Sequence, residues 1–344
     1  MKKILLMVFL LPLLVIGQRN YPLAAKKIFK QAQEEHKKGK TQEALTLYNS
    51  CIKAEPTFSE AYLNMAIIQY NNKEYTKSLT NSKKALKYNK VQSSIYSQIG
   101  KSFFMTGDYD SSAYYLDRAI IFGANSENDF YYLASAENKR HNHERAISQI
   151  NKSIKSNTSN ADYYMVRGDA NFGLDDFEAA KVDYEKALSL NQNNNSIYKS
   201  LANVYVKLGN SEKAIENIDI GINNAQGDEK INFLILKGNY YHQIGDLENA
   251  QKYFDEAFAL NNQSAIVLTN QAAVLIDKGE FENAVEKCTQ AINVDPTQTE
   301  AYFNRGIANE MLRKTDEACS DWEEAFIMGA VKAEEYLNSP TCNE

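Results

Sequence analysis

Residues 231–264 read INFLILKGNYYHQIGDLENAQKYFDEAFALNNQS, and residues 265–298 read AIVLTNQAAVLIDKGEFENAVEKCTQAINVDPTQ. Set one above the other, they agree where a side chain has to be small: Gly238 with Ala272, Ala250 with Ala284, Ala257 with Ala291. The same three slots run through the chain in both directions. The first holds Ala32, Ala66, Gly100, Ala134, Gly168, Ala202, Gly238, Ala272 and Gly306. The second holds Ala44, Ser78, Ser112, Ala146, Ala180, Ala214, Ala250, Ala284 and Ala318. The third holds Cys51, Ala85, Ala119, Ser153, Ala187, Gly221, Ala257, Ala291 and Ala325. Successive members stand 34 residues apart, except for one step of 36 between the sixth and seventh units. A fixed period of this length is the signature of a stacked repeat protein.

Two antiparallel helices approach closely only where no bulky side chain separates their backbones. The eighth slot of each unit falls on a first helix and the twentieth on a second, so these slots set the contact inside a pair. The twenty-seventh lies where the next unit's first helix has to pass. Large apolar residues fill the space between, among them Leu116, Leu133, Ile150, Tyr184, Leu201, Ile218, Phe254 and Trp322. A single unit cannot bury its apolar face, and stacking joins the faces into a core.

With Leu234, Gly238, Tyr241, Ala250, Phe254 and Ala257 at their spacing, residues 231–264 resemble the tetratricopeptide repeat (TPR). Residues 265–298 match again and end in the family's terminal proline, Pro296. Nine units are counted, beginning at Ala25, Ser59, Ser93, Glu127, Ala161, Asn195, Ile231, Ala265 and Thr299. The fourth slot, often tryptophan in the family, is Tyr, Phe, Leu or Ile here, and most units lack the proline. The resemblance implies an all-α fold, a right-handed α-α superhelix of about nine helix-turn-helix units with a capping helix at the C-terminus. No Pro-rich or Gly/Ser-rich linker interrupts it, so residues 18–338 are expected to form one domain, with 339–344 as a tail.

The chain opens with Lys2 and Lys3 before an apolar run, Ile4 to Ile16, and compact residues up to Gly17. That order is a secretory signal, cut ahead of Gln18, and the run is shorter than the roughly 20 residues that a membrane span needs. A retained N-terminal anchor is the other reading. Residues 1–17 are therefore expected to be a signal peptide and the protein to be exported, periplasmic or secreted, without stable membrane insertion after cleavage. Cys51 is the first cysteine, too far on for lipid attachment at a new N-terminus. The chain carries 38 basic and 44 acidic residues, a net charge of −6. This mildly acidic, mixed balance offers a phosphate backbone nothing, so nucleic acid is not an expected partner.

Cys51 and Cys288 occupy core slots and read as small buried hydrophobes. Cys319 and Cys342 read differently. The last second helix should stop near Gly329, a left-handed cap. Residues 331–338 can then run back along it as a short helix, recovering about 15 Å at ~1.5 Å per residue. Cys342 returns to the level of Cys319, and in an oxidising compartment a disulfide would staple the cap to the array. The ending from Ala318 through Cys342 also resembles the terminal unit of many exported bacterial repeat proteins.

Catalytic patterns are missing from the sequence. His36 and His242 share a slot in units far apart, while His141 and His143 with Glu144 fall on one turn, two ligands where a metal needs three or four. No phosphate loop, nucleophile elbow or two-His zinc helix appears. Neither an enzymatic activity nor a cofactor nor a metal is expected.

In the family arrangement the first helix of each unit lines the inner wall. Slots two, five, nine, twelve and thirteen share one stripe of that helix. The expected protein-binding groove takes Leu63, Ile67, Tyr70, Lys101, Phe104 and Tyr131 from units two to four. Met165, Asp169, Phe172, Lys199, Asn203 and Asn239 follow from units five to seven. Carboxylate-binding relatives use a five-residue clamp. Lys199 and Asn203 match its first two positions, whereas Leu236, Ile266 and Asn270 depart from the rest. The groove aromatics could equally shield the wall between helices. The expected function is a non-enzymatic interaction scaffold of the bacterial cell envelope, with a peptide or helix in the groove. The alternative is a structural subunit that self-associates through outer faces or ends, against which the C-terminal cap argues at one end.

Overall fold

The computed structural model describes residues 20–343, so the signal segment read at 1–17 lies outside the described residues. The described chain is helical, with no strand among its residues. Eighteen helices form nine pairs. The first four pairs are α1 (Leu23–Lys37) with α2 (Thr41–Ala54), α3 (Ser59–Asn71) with α4 (Tyr75–Tyr88), α5 (Ser93–Met105) with α6 (Tyr109–Ile121), and α7 (Glu127–Lys139) with α8 (His143–Ser156). Then come α9 (Ala161–Gly173) with α10 (Phe177–Leu190), α11 (Asn195–Lys207) with α12 (Ser211–Asn224), and α13 (Gly227–Gln243) with α14 (Leu247–Leu260). The last pairs are α15 (Ala265–Asp277) with α16 (Phe281–Val294) and α17 (Thr299–Met311) with α18 (Thr315–Ile327), followed by α19 (Ala333–Leu337) and α20 (Pro340–Asn343). The chain divides into two compact units, one ending at Asn157 and one beginning at Thr158.

One device makes every turn inside a pair. The residue two places before each second helix is left-handed: Gly39, Gly107, Gly209, Gly245 and Gly279, but also Lys73, His141, Asp175 and Arg313, with φ between 60° and 82°. The next amide donates back to a carbonyl five residues earlier, as from Glu74 to Gln69 at 2.8 Å and from Lys314 to Asn309 at 2.8 Å. This closes the exposed carbonyl end of the first helix and reverses the chain in three residues. The 36-residue step is absorbed at the front of α13, which starts at Gly227 and runs 17 residues where most first helices have 13.

Inside the pairs the small slots do what their spacing requires. Gly168, Gly238 and Gly306 lie under the rings of Tyr184, Phe254 and Trp322, where an added Cβ would stand 2.4–2.6 Å from ring atoms. Between pairs, Gly221 of α12 lets Phe233 of α13 lie flat, an added Cβ falling 2.1 Å from it. In the first unit the core begins with Ala25, Ala32, Tyr48, Cys51, Ala61 and Ile68. In the second it ends with Phe303, Trp322, Ala325 and Ala333 under Tyr336 and Leu337.

The C-terminus carries the expected cap with one difference. Gly329 takes φ 99° just after α18, and α19 returns along it. Residues 340–343, expected as tail, form a turn of helix because Pro340 presets the first helical φ and its missing N–H has no bond to lose. Cys319 and Cys342 are joined by a disulfide with Cα atoms 5.6 Å apart.

Candidate functional site

In the unit that ends at Asn157, α3, α5 and α7 present an aromatic surface. Tyr70 and Tyr132, 62 residues apart, share a hydroxyl–hydroxyl hydrogen bond of 2.8 Å. Phe104 of α5 meets Tyr132 edge-on at 5.4 Å and Tyr109 at 5.5 Å, while Tyr131 packs against Tyr132 at 5.2 Å. Tyr75 meets Tyr70 at 5.4 Å. Tyr70, Phe104, Tyr131 and Ile67 are half-buried, each keeping a surface that a ligand could cover. Burial, and then the hydroxyl of Tyr132, push the Tyr70 phenol well above its usual range, so it stays neutral and acts as a hydrogen-bonding group.

Two sequence-selected residues do something else here. Leu63 is 5% exposed and packs among Tyr62, Ala85, Ile95 and Ile99, so it belongs to the core rather than to the face. Lys101 forms an ion pair with the buried Asp129 at 3.1 Å and leans toward the Tyr132 ring, so its charge is already balanced. Tyr132, at the centre of the cluster, and Asp129 are missing from the set that helical spacing selects. They stand next to that stripe, not on it, and only the approach of α7 to α3 brings Tyr132 in.

In the unit that begins at Thr158 the selected residues separate into two groups. Asp169 accepts a 2.8 Å bond from the Tyr184 hydroxyl, Phe172 meets Phe177 edge-on at 5.3 Å, and Met165 is half-buried. Burial, with Asp169 beside it, pushes the Tyr184 phenol far up. The second group is polar: Lys199 and Asn239 are exposed and Asn203 half-buried, and none has a hydrogen-bond partner among the described residues. Lys199 lines an open cavity of about 150 Å³ with Asn195, Ser196, Glu229, Asn232 and Phe233. Lys199 stands on α11 and Glu229 on α13, and Glu229 already accepts from the Asn195 amide at 3.0 Å, so the cavity carries one cation and one partly engaged carboxylate. A larger cavity, about 500 Å³, opens between α16, α17 and α18 and is walled by Val285, Thr289, Arg305, Asn309, Lys314, Asp316, Glu317, Ser320 and Asp321.

That cavity rests on a buried polar device that recurs at matching slots. Arg305 grips Asp321 with Nε and Nη2 at 2.9 and 2.6 Å, and Asn309 donates to the same carboxylate at 3.2 Å. Four units earlier Arg167, Asp183 and Asn171 repeat it at 2.7–3.1 Å. Forked guanidinium bonds to a carboxylate hold the two helices of a pair at one register. Its sequence signal is an Arg and an Asp 16 residues apart, in units five and nine.

Among the described residues no group of three or more His, Cys, Asp or Glu is placed to hold a metal ion. His143 Nδ1 bonds Asn138 Oδ1 at 2.9 Å, and the rings of His141 and His143 meet edge-on at 5.7 Å. Burial pushes the Cys51 thiol up to about 11 and the Cys288 thiol up to about 12, far from the thiolate that a nucleophile needs. No helix among the described residues is long and apolar enough to cross a membrane.

A TPR-repeat family model matches residues 272–312, and a tetratricopeptide-repeat model matches residues 161–194 and 231–264. The chain carries tetratricopeptide repeats. A TPR repeat-containing protein of Methanocaldococcus jannaschii is 26% identical over 235 residues, which is 65% of this chain and 40% of that one. The DnaJ protein P58IPK homolog B of Oryza sativa subsp. japonica is 23% identical over 338 residues, 92% of this chain and 67% of its own. A solved TPR protein from Parabacteroides merdae is similar in fold, with a TM-score of 0.54 at 13% identity over 74% of this chain and 100% of its own. Repeat arrays of this family are interaction scaffolds, since stacked helix pairs present extended surfaces to other proteins.

Proposed function

We propose that this TPR protein is a non-enzymatic scaffold of the bacterial cell envelope that holds a protein or peptide partner against its first helices. The observation that carries the reading is the half-buried cluster of Tyr70, Phe104, Tyr131 and Tyr132 on α3, α5 and α7. Rings with hydroxyls at their edges suit a partner that brings apolar side chains and backbone polar groups together. In the second unit, Lys199, Asn203 and Asn239 offer donors with no internal partner, suited to carbonyl or acidic groups. Export rests on the signal pattern at residues 1–17, and no nucleic acid, metal or cofactor enters the proposal.

Affinity capture from envelope extract, with the wild-type chain beside a Tyr131→Ala, Lys199→Ala, Asn203→Ala variant, tests this directly. Circular dichroism checks that the variant is folded. A partner held by the wild type and lost by the variant is the expected result. Equal capture by both would place recognition elsewhere, on the outer helices or the ends.

A further inference from the structure

The balance of charge read over the whole chain hides a segregation along it. Residues 20–105 carry 14 lysines and 6 acidic groups, whereas residues 208–344 carry 10 basic and 24 acidic groups. Two second helices concentrate the difference. On α4 the exposed face holds Lys77, Lys83, Lys84 and Lys87 with Thr76 and Thr80, and no carboxylate. At 100° per residue the four lysines share an arc of about 120° and span about 15 Å of helix. Lys77 pairs with Glu74, just ahead of the helix, at 2.9 Å, but Lys83, Lys84 and Lys87 have no ion-pair partner among the described residues; each lies instead over a ring, of Phe103, Tyr62 and Tyr88 at 4.8, 5.8 and 5.6 Å. The ammonium groups thus sit over ring faces, which neutralise no charge, and all three residues remain exposed to solvent.

The exposed face of α18 has the opposite chemistry. Asp316, Glu317, Glu323 and Glu324 are exposed, span about 12 Å of helix, and have no ion-pair partner among the described residues. No Lys or Arg stands on α18. Next to these acids, Phe326 and Ile327 are 43% and 70% exposed. Unbalanced like charge on one helix face repels itself, and a face of opposite sign and similar length relieves both.

We infer that the lysine face of α4 docks on the acidic face of α18 of a second copy of this chain. The contact is heterologous, so each copy offers one donor face and one acceptor face. Association then runs on until the rotation closes a ring, or stays open. Both faces belong to second helices, apart from the first-helix residues assigned to partner binding, so this inference does not depend on the proposed function. The terminal cap is no obstacle, because the contact is side-on.

Sedimentation velocity of the purified full-length chain is the test. At an ionic strength of about 0.01 M the mass rises above the monomer with concentration, and it returns to the monomer near 0.5 M, where screening is about 3–5 Å. Lys83→Glu, Lys84→Glu, Lys87→Glu as a triple variant weakens association about tenfold or more, as does Glu323→Lys with Glu324→Lys. All five positions are exposed, so both variants keep the wild-type circular dichroism. The chain carrying all five reversals associates again, and a mixture of the triple and double variants forms mixed complexes. A monomer at low salt, association indifferent to the α4 reversal, or a five-reversal chain that stays monomeric would each overturn the inference. A monomer whose α4 lysines instead bind phosphatidylglycerol vesicles would give that face to a membrane surface and overturn it too.

Discussion

Gly306 shows how tightly a single atom is constrained in this protein. A Cβ there would stand 2.4 Å from Nε1 of Trp322, a fully buried indole that donates to the Phe303 carbonyl at 3.3 Å. Overpacking of this kind costs about 1–3 kcal/mol, while alanine recovers up to about 1 kcal/mol of helix propensity. Gly306→Ala is therefore expected to lose about 1–2 kcal/mol in urea unfolding, and a gain in stability would contradict the packing described. Small slots of this sort were legible from spacing because backbone distance sets their size. The site residues were less so. Helical spacing put Leu63 and Lys101 on the binding stripe, but the neighbouring pair covers the first and Asp129 neutralises the second. Conversely, Tyr132 became central through a partner 62 residues away, which no local pattern reports.

At the scale of elements, the last helix pair depends on the two short helices after it. Without α19, the ring of Trp322 would lose Tyr336, now 4.7 Å away, and Phe303 would lose the same ring at 5.2 Å. The short α19 and α20 have too few residues to hold themselves helical, so packing and the Cys319–Cys342 bond keep them in place. The bond closes a sequence separation of 23 residues, for which loop entropy gives about 3 kcal/mol. Cys342→Ser is expected to lower the stability of the C-terminal unit by up to about that amount, read as protease sensitivity near residues 330–343 and a lower unfolding midpoint. Thiol labelling of the unreduced native protein should find neither Cys319 nor Cys342. Labelling of Cys342 would show the staple to be open.

Across the whole molecule, buried neutral groups make stability fall on the alkaline side. Burial raises the thiols of Cys51 and Cys288 from 9.0 to about 11 and about 12. The Tyr205 phenol rises from 10.0 to about 12 through burial and its bond to Glu185, and those of Tyr70 and Tyr184 rise as well. For a group whose pKa is higher in the folded chain, the contribution is complete below the unfolded value and shrinks as pH climbs toward the folded one. Thermal unfolding midpoints should therefore be insensitive to these groups below pH 9.0 and drop steadily between about 9 and 12. A midpoint that holds steady across that window would mean that these groups ionise in place without opening the core.

The sequence by itself determined the repeat, its helix pairs, the left-handed cap at Gly329 and the pairing of Cys319 with Cys342. Each depends on residues within about one period of each other, where helix pitch and chain length leave little choice. Only the tertiary structure decided which side chains remain available for function. Whether Lys101 is a free cation, Tyr70 a lone phenol, or Lys83, Lys84 and Lys87 of α4 uncompensated depends on groups brought alongside by neighbouring helices. Those distances arise when the pairs pack, and burial, not spacing, then sets what each group can do.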